Sequence, residues 1–365
     1  MANRRTFIKN SLLGTVGLIT SSSTCSNPQL STTHKKDKLG VALVGLGYYS
    51  RDLLAPALQE TQHCYLAGIV TGTPSKIPIW QEKYNIPDKN VYNYQNMDGI
   101  ANNPDIDVIY IVLPTGMHAE YAIKAANTGK HVWCEKPMAR TAAECQQIID
   151  ACNKNKVKLS IGYRMQHEPN TQTVMRFAKE KPYGAIQQLV AEAGYREGRS
   201  NHWKQNKEMG GGAMYDMGVY PLNAVRYSTG EEPIRVISAR HTTTRPEIYH
   251  EVDETTHFKL EFPSGAIADC MTSFGQSVNR LEVTCAKGSY YLQPFQAYNG
   301  VQGKTSDGIL LNKPIANQQA KQMDDDALSI MQNRPVMVPG EDGLKDIRIV
   351  EAIYKAAKTG GSVDL

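Results

Sequence analysis

The sequence predicts an α/β protein: an amino-terminal doubly wound parallel sheet, then an α+β unit built on a large, open, mixed or antiparallel sheet. Three observations carry this. Short apolar strands alternate with helical patterns across residues 39–162, the grammar of a parallel sheet with crossover helices. The first strand runs straight into Gly45-Leu46-Gly47, a tight turn suited to a phosphate at a helix start. Beyond Arg164, strand-like runs of period-two alternation follow one another without helices between them, as antiparallel or mixed sheets do.

In the first unit, apolar strands are expected at 39–44, 65–70, 108–113, 131–134 and 158–162. Helices are expected between them at 50–60, 75–84 (disturbed by Pro78), 117–128 and 142–155. The second unit opens with a helix at 171–179 and a strand at 186–193, and a further helix starts near Gly212. Strands follow around Phe258, Leu260 and Phe262, then at 266–271, 281–285 and 290–293. Asp324-Asp325-Asp326 reads as a cap before an apolar helix pattern. The last helix, 344–358, stops at Gly360-Gly361, a glycine cap. These elements divide the chain into residues 39–164, a dinucleotide-binding domain, and 165–365, a domain for substrate and self-association. A sheet with helices on one face leaves an apolar face to cover, which predicts a homodimer or homotetramer through the second sheet.

A chain of 365 residues has ample length for two cores. Its 40 Lys and Arg against 36 Asp and Glu give a net charge of +4, too mild and dispersed for a nucleic-acid reader. The amino terminus stands apart. Asn3-Arg4-Arg5-Thr6-Phe7-Ile8-Lys9 precedes a weakly apolar run at 12–19 and Ser21-Ser22-Ser23-Thr24-Cys25. It resembles a twin-arginine export signal over residues 1–25, followed by a polar tether at 26–38. The run is too short to span a membrane. Export implies a periplasmic protein or, if Cys25 is lipidated, a membrane-anchored lipoprotein; leucine is missing from the position expected before a lipidated cysteine. The other six cysteines lie in apolar patterns without paired spacing and read as reduced core residues.

Four stretches carry chemistry. In Gly45-Leu46-Gly47-Tyr48-Tyr49-Ser50 the glycines allow a tight turn and close approach of the backbone to a pyrophosphate. The next strand ends in Thr71-Gly72-Thr73-Pro74-Ser75-Lys76, where an NAD site usually offers a carboxylate to the ribose diol. Hydroxyls and Lys76 in its place favour NADP over NAD. Pro114-Thr115-Gly116-Met117-His118 closes another strand; Thr115 and the backbone face the nicotinamide half, and His118 either binds phosphate or caps its helix. Glu135-Lys136-Pro137 ends the strand at 131–134, at the carboxyl edge where open α/β sheets bind ligands. Finally, Asp216 and Tyr220 lie four apart after Gly210-Gly211-Gly212 and share one face if that segment is helical. His250, Asp253, Glu254 and His257 match no metal-ligand spacing, so no metal is expected.

Gly45-Leu46-Gly47, Glu135-Lys136-Pro137, Gly162-Tyr163-Arg164 and the run from Gly210 to Tyr220 together resemble the Gfo/Idh/MocA family, that of glucose-fructose oxidoreductase, inositol dehydrogenase and related sugar dehydrogenases. Within it the likeness to glucose-fructose oxidoreductase is greatest. Gly218-Val219-Tyr220-Pro221-Leu222-Asn223, Gly230-Glu231-Glu232-Pro233 and Pro339-Gly340-Glu341-Asp342-Gly343-Leu344 support that choice. The resemblance implies that Lys136, Asp216 and Tyr220 are catalytic and that Arg164 contributes to the cofactor site. It puts Tyr163, Trp203 and Lys204 near the substrate. Tyr298, in a loop, reads as a further pocket residue. Two departures stand out: Thr115 where the family often has asparagine, and Lys204 where the closest relatives tend to have arginine.

The chemistry fits those roles. Oxidising a sugar or polyol hydroxyl sends a hydride to the nicotinamide and a proton to a base. A phenol with its ordinary pKa near 10 is a poor base at neutral pH unless a cation stabilises the phenolate. Lys136 is expected to supply that charge to Tyr220, and Asp216 to orient the lysine or the sugar. The resemblance also implies an NADP that stays bound and is recycled by a second sugar. Two other readings use the same fold: a glycoside hydrolase working by transient oxidation, and a non-catalytic sugar or nucleotide sensor.

Overall fold

Six parallel strands form the first sheet in a computed structural model that describes residues 36–365. The twin-arginine-like stretch, Cys25 and most of the tether lie outside the described residues. The strands are β1 (Leu39–Val44), β2 (Cys64–Val70), β3 (Val91–Tyr92), β4 (Val108–Ile111), β5 (His131–Cys134) and β6 (Leu159–Ile161), in the order β3-β2-β1-β4-β5-β6. All six residues of β1 are buried, as a parallel strand covered on both faces should be. Its neighbours are β2 and β4, so the connections diverge there and a crevice opens beyond the carboxyl ends of β1 and β4.

The two faces of this sheet feed different cores, following the period-two alternation of a strand. Val41, Leu43, Tyr110 and Trp133 pack with Met323 and Ala327. Ala42, Val44, Ile109 and Cys134 join a core that continues through Tyr163 into Leu189, Phe258 and Leu281. The helix Gln318–Met331 therefore covers the first sheet, although it comes late in the chain. Its start is capped by Asn317, which accepts from Gln319 and Ala320 N–H. Asp324, Asp325 and Asp326 lie inside this helix, which corrects their reading as a cap: the stripe Ala320, Met323, Ala327 already belongs to it.

The second sheet has nine strands: β7 (Ile186–Gly194), β8 (Arg235–Thr242), β9 (Thr255–Glu261), β10 (Ile267–Ser273), β11 (Val278–Cys285), β12 (Gly288–Leu292), β13 (Gly303–Thr305), β14 (Leu310–Leu311) and β15 (Val363–Asp364). Its order is β14-β13-β12-β11-β7-β10-β9-β8-β15. Only the β7–β10 pair is parallel, so the sheet is mixed, as the sequence predicts. The helices Val219–Thr229 and Gly340–Thr359 pack against it. Its other face is not the apolar surface expected: Lys259 pairs with Asp269 at 3.0 Å, and Arg280 with Glu192 at 2.7 Å. All six described cysteines are free and buried. Burial pushes the Cys64, Cys145 and Cys152 thiols up to about 12. No described helix is long and apolar enough to cross a membrane.

Candidate active site

Two clefts meet above the carboxyl ends of the first sheet. The narrower, about 520 Å³, runs along the glycine turn and the ends of β2, β4 and β5. The wider, about 1150 Å³, is bounded by β7, β11 and the loop around Tyr298. Lys136, Lys204, Asp216, Tyr220 and Tyr298 border both.

The glycine turn is built for close approach. Gly45 has φ +91°, and a Cβ there would overlap the Val112 carbonyl, so only glycine fits without strain. Gly47 is the opposite case, with nothing within 4 Å of where its Cβ would be. That open space, at the start of a helical segment and beside the end of β4, fits a dinucleotide pyrophosphate. The segment it enters is shorter than expected: a π turn at Ser50–Leu54 and one α turn at Ala55–Ala57. Pro56 lacks the N–H that a further π hydrogen bond would need.

The same device recurs under Asp216 and Tyr220. Gly212 (φ +108°) leads into a π turn at Met214–Gly218, followed by the helix Val219–Thr229. Asp253 pins the start: its Oδ2 accepts from Met214 N–H at 2.8 Å and its Oδ1 from Tyr354 OH at 2.5 Å. In a π turn the donor to the Asp216 carbonyl would be residue 221, a proline with no N–H. That carbonyl accepts instead from Lys136 Nζ at 2.7 Å. The ammonium lies 4.6 Å from the centre of the Tyr220 ring.

Asp216 therefore meets Lys136 through its backbone, not its carboxylate. The carboxylate pairs with Lys204 Nζ at 2.7 Å and accepts from Tyr195 OH at 3.4 Å. Burial raises the Asp216 pKa, but the Lys204 and Lys136 charges outweigh it and hold the group below its ordinary value. Burial lowers Lys136, yet Tyr220, Asp216 and Glu135 together hold it above the usual lysine value. Glu135 turns inward. It accepts from Tyr110 OH at 2.6 Å, and burial raises its carboxyl.

The structure sorts the residues read from the sequence. Tyr48, Tyr49, Thr71, Thr73 and Lys76 border the narrower cleft, with Lys76 Nζ donating to the Leu46 carbonyl at 2.8 Å. So do Pro114, Thr115, Glu135 and Trp203. Gly72 does not; it backs onto the Tyr94 ring. His118 is buried, with Nδ1 and Nε2 each 2.8 Å from a carbonyl, of Pro137 and Leu113. It ties the β4 and β5 loops together and has no ring nitrogen left for a phosphate, which corrects that reading. Tyr163 is also buried, away from both clefts, in the core that joins the two sheets. Arg164 borders the wider cleft instead of the dinucleotide cleft. Of the four residues at 250–257 set aside as metal ligands, Asp253 caps a helix and Glu254 pairs with Arg245 at 2.7 Å.

Sequence reasoning missed Tyr195, Glu197 and Arg199. Arg199 borders both clefts and is gripped by Glu197, whose carboxyl it draws down to about 2. The signal was present. These three alternate beyond the end of β7, placing polar groups on one side of an extended chain.

Two family descriptions match this chain: "Oxidoreductase family, NAD-binding Rossmann fold" at residues 39–163 and "GFO/IDH/MocA C-terminal domain" at 171–291. A crystal structure of aldose-aldose oxidoreductase from Caulobacter crescentus, complexed with glycerol, is 38% identical with a TM-score of 0.86, covering 90% of this chain and 100% of that one. The D-xylose 1-dehydrogenase [NADP(+)] of Haloarcula marismortui is 25% identical over 343 residues, 89% of this chain and 92% of that protein. The D-glucoside 3-dehydrogenase of Escherichia coli is 26% identical over 351 residues, 90% and 97%. With both sheets, the glycine turn and these matches in agreement, the chain belongs to the Gfo/Idh/MocA family and is an NAD(P)-dependent oxidoreductase of sugar or polyol hydroxyls.

Proposed function

We propose that this enzyme is an aldose oxidoreductase that keeps NADP bound and restores it with a second sugar, the pattern of glucose-fructose oxidoreductase. The observation that carries the reading is the Lys136–Tyr220 pair at the junction of the two clefts. The 38% identity to the Caulobacter aldose-aldose oxidoreductase supports it. NADP is favoured because Thr71, Thr73 and Lys76 border the cleft where an NAD site would present a carboxylate.

When bound, the nicotinamide accepts hydride from the alcohol carbon and, in the return half-reaction, gives it to a carbonyl carbon. Tyr220 takes the hydroxyl proton in the first half and returns one to the acceptor oxygen in the second. Lys136, held by the Asp216 carbonyl, stabilises the phenolate. Asp216 and Lys204 face the wider cleft and hold the sugar hydroxyls, and Trp203 and Tyr298 wall the site. The amino-terminal stretch is read as a twin-arginine signal that delivers the folded protein to the periplasm, with Cys25 as a lipid anchor if the cysteine is processed. A dimer or tetramer through the second sheet completes the proposal; its interface would be built from ion pairs.

The test uses the purified folded protein. Absorbance of the bound nucleotide is recorded while aldoses are added singly. Reduction by one sugar and reoxidation by another is expected, with tighter binding of NADP than of NAD. Release of free sugar from an aryl glycoside without net nucleotide change would overturn the assignment in favour of the hydrolase. Tyr220→Phe should lose most turnover and keep its cofactor; full turnover would remove Tyr220 as the base.

A further inference from the structure

Arg164 is a buried charge with no carboxylate partner: its residue is 2% exposed. Nη1 donates to the Ala297 carbonyl at 2.7 Å, to Gln318 Oε1 and to Met165 Sδ, while Nε has no partner. A buried guanidinium normally carries a paired anion, because desolvating an unpaired charge is costly. What surrounds this one is aromatic: its Cζ lies 4.7 Å from the Tyr298 ring centre and 5.7 Å from that of Tyr220.

We propose that Arg164 is a second cation acting on Tyr220, a positioning residue that shares with Lys136 the stabilisation of the phenolate, while Tyr298 covers its other side. Lys136 reaches the Tyr220 ring from the β5 loop and Arg164 from the segment after β6. Tyr298 comes from the loop after β12 and Tyr49 from the glycine turn, both neutral when protonated. The nearby anions are engaged elsewhere, Asp216 by Lys204 and Glu135 by Tyr110. A unit charge at this separation, in a partly wet cleft, shifts a phenol by about one pH unit or more.

The inference rests on Tyr220 as the base for its catalytic consequence, but not for its physical test. The Tyr220 phenolate is titrated by ultraviolet difference spectra between parent and Tyr220→Phe in each background, alongside the pH profile of kcat/KM for sugar oxidation. Arg164→Gln should move both the titration and the ascending limb upward by about one unit. Arg164→Lys, which keeps the charge but loses the planar fork, should restore most of that shift. Lys136→Met provides a measurement that leaves Arg164 in place: adding Arg164→Gln to it should move the ascending limb of kcat/KM further upward.

Three results would overturn the proposal. One is an unmoved titration in Arg164→Gln; another is a lysine variant shifted as far as the glutamine one, which marks a structural role. The third is a higher KM for carboxylate-bearing sugars with the limb in place, which marks an anion subsite. Full turnover in Tyr220→Phe would sink the base assignment alone, and the titration would still decide the role of Arg164.

Discussion

Gly45 and Gly47 stand two residues apart in one turn, but their substitution by alanine is expected to fail in different ways. At Gly45 the backbone has φ +91°, and the added methyl would overlap the carbonyl of Val112 at the end of β4. Left-handed strain costs about 1–2 kcal/mol, and displacing a strand end brings the loss to about 3 kcal/mol. At Gly47 nothing lies within 4 Å of the new atom. Without nucleotide, Gly47→Ala should be neutral or up to about 1 kcal/mol more stable, because the unfolded chain loses freedom.

Binding separates the two further. A ligand at a hundredfold its Kd stabilises the fold by about 2.7 kcal/mol, and a tenfold weaker site at the same concentration gives about 1.4 kcal/mol. A methyl on the pyrophosphate approach should cost at least that factor of ten. Denaturant unfolding of nucleotide-stripped protein, repeated with NADP, measures both quantities for both variants. The reasoning is refuted if Gly47→Ala destabilises the stripped protein as much as Gly45→Ala does, or keeps the full nucleotide stabilisation.

Two electrostatic predictions concern groups on opposite sides of the site. Lys204→Met strips the partner from Asp216, whose side chain is only 12% exposed, and should cost about 3 kcal/mol near neutral pH. Because the Asp216 carboxyl is held low in the fold, its contribution is complete above the ordinary carboxylate value near 3.9 and fades as pH falls. The gap between variant and parent should therefore be full near neutral pH and narrow as pH falls below about 4; a gap that ignores pH refutes the pairing as its cause. Asp326 behaves oppositely. Burial pushes it up to about 6, and neither carboxylate oxygen has a partner. Its penalty grows as pH rises from the unfolded value through 6, so Asp326→Asn should gain up to about 3 kcal/mol at pH 8 and nothing at pH 4. Unfolding midpoints at the two pH values decide it.

Much of the fold was legible because its signals are local. The alternation of Val41 and Leu43 with Ala42 and Val44, and the glycines that follow β1, specify a strand and its turn within ten residues. Two-residue strands such as β3, β14 and β15 carry no readable period. The placement of Gln318–Met331 on the first sheet was hidden for another reason: an amphipathic stripe shows that a helix has a buried face, not which sheet will cover it. The same limit applies to the site. Lys136, Asp216 and Tyr220 were found by motif, but the Lys204 partner of Asp216 and the Pro137 carbonyl on His118 are distant contacts with no sequence period.

The arrangement of charges explains why a Glu-Lys-Pro triplet alone does not specify this chemistry. If the Asp216 carboxylate paired with Lys136, the lysine's charge would be spent on that anion and would do little for a phenol. The π turn and Pro221 prevent this, because they leave the Asp216 carbonyl without a helical donor and Lys136 takes it, a neutral acceptor that fixes the ammonium without cancelling its charge. The carboxylate is then drawn off by Lys204, Glu135 by Tyr110, and Glu197 by Arg199. Each of these carboxylates has a partner other than the Lys136 ammonium and the Arg164 guanidinium, the two cations beside the Tyr220 ring. The phenol of Tyr220 thus stands beside two cations at the meeting point of both clefts, the setting on which the proposed proton transfer rests.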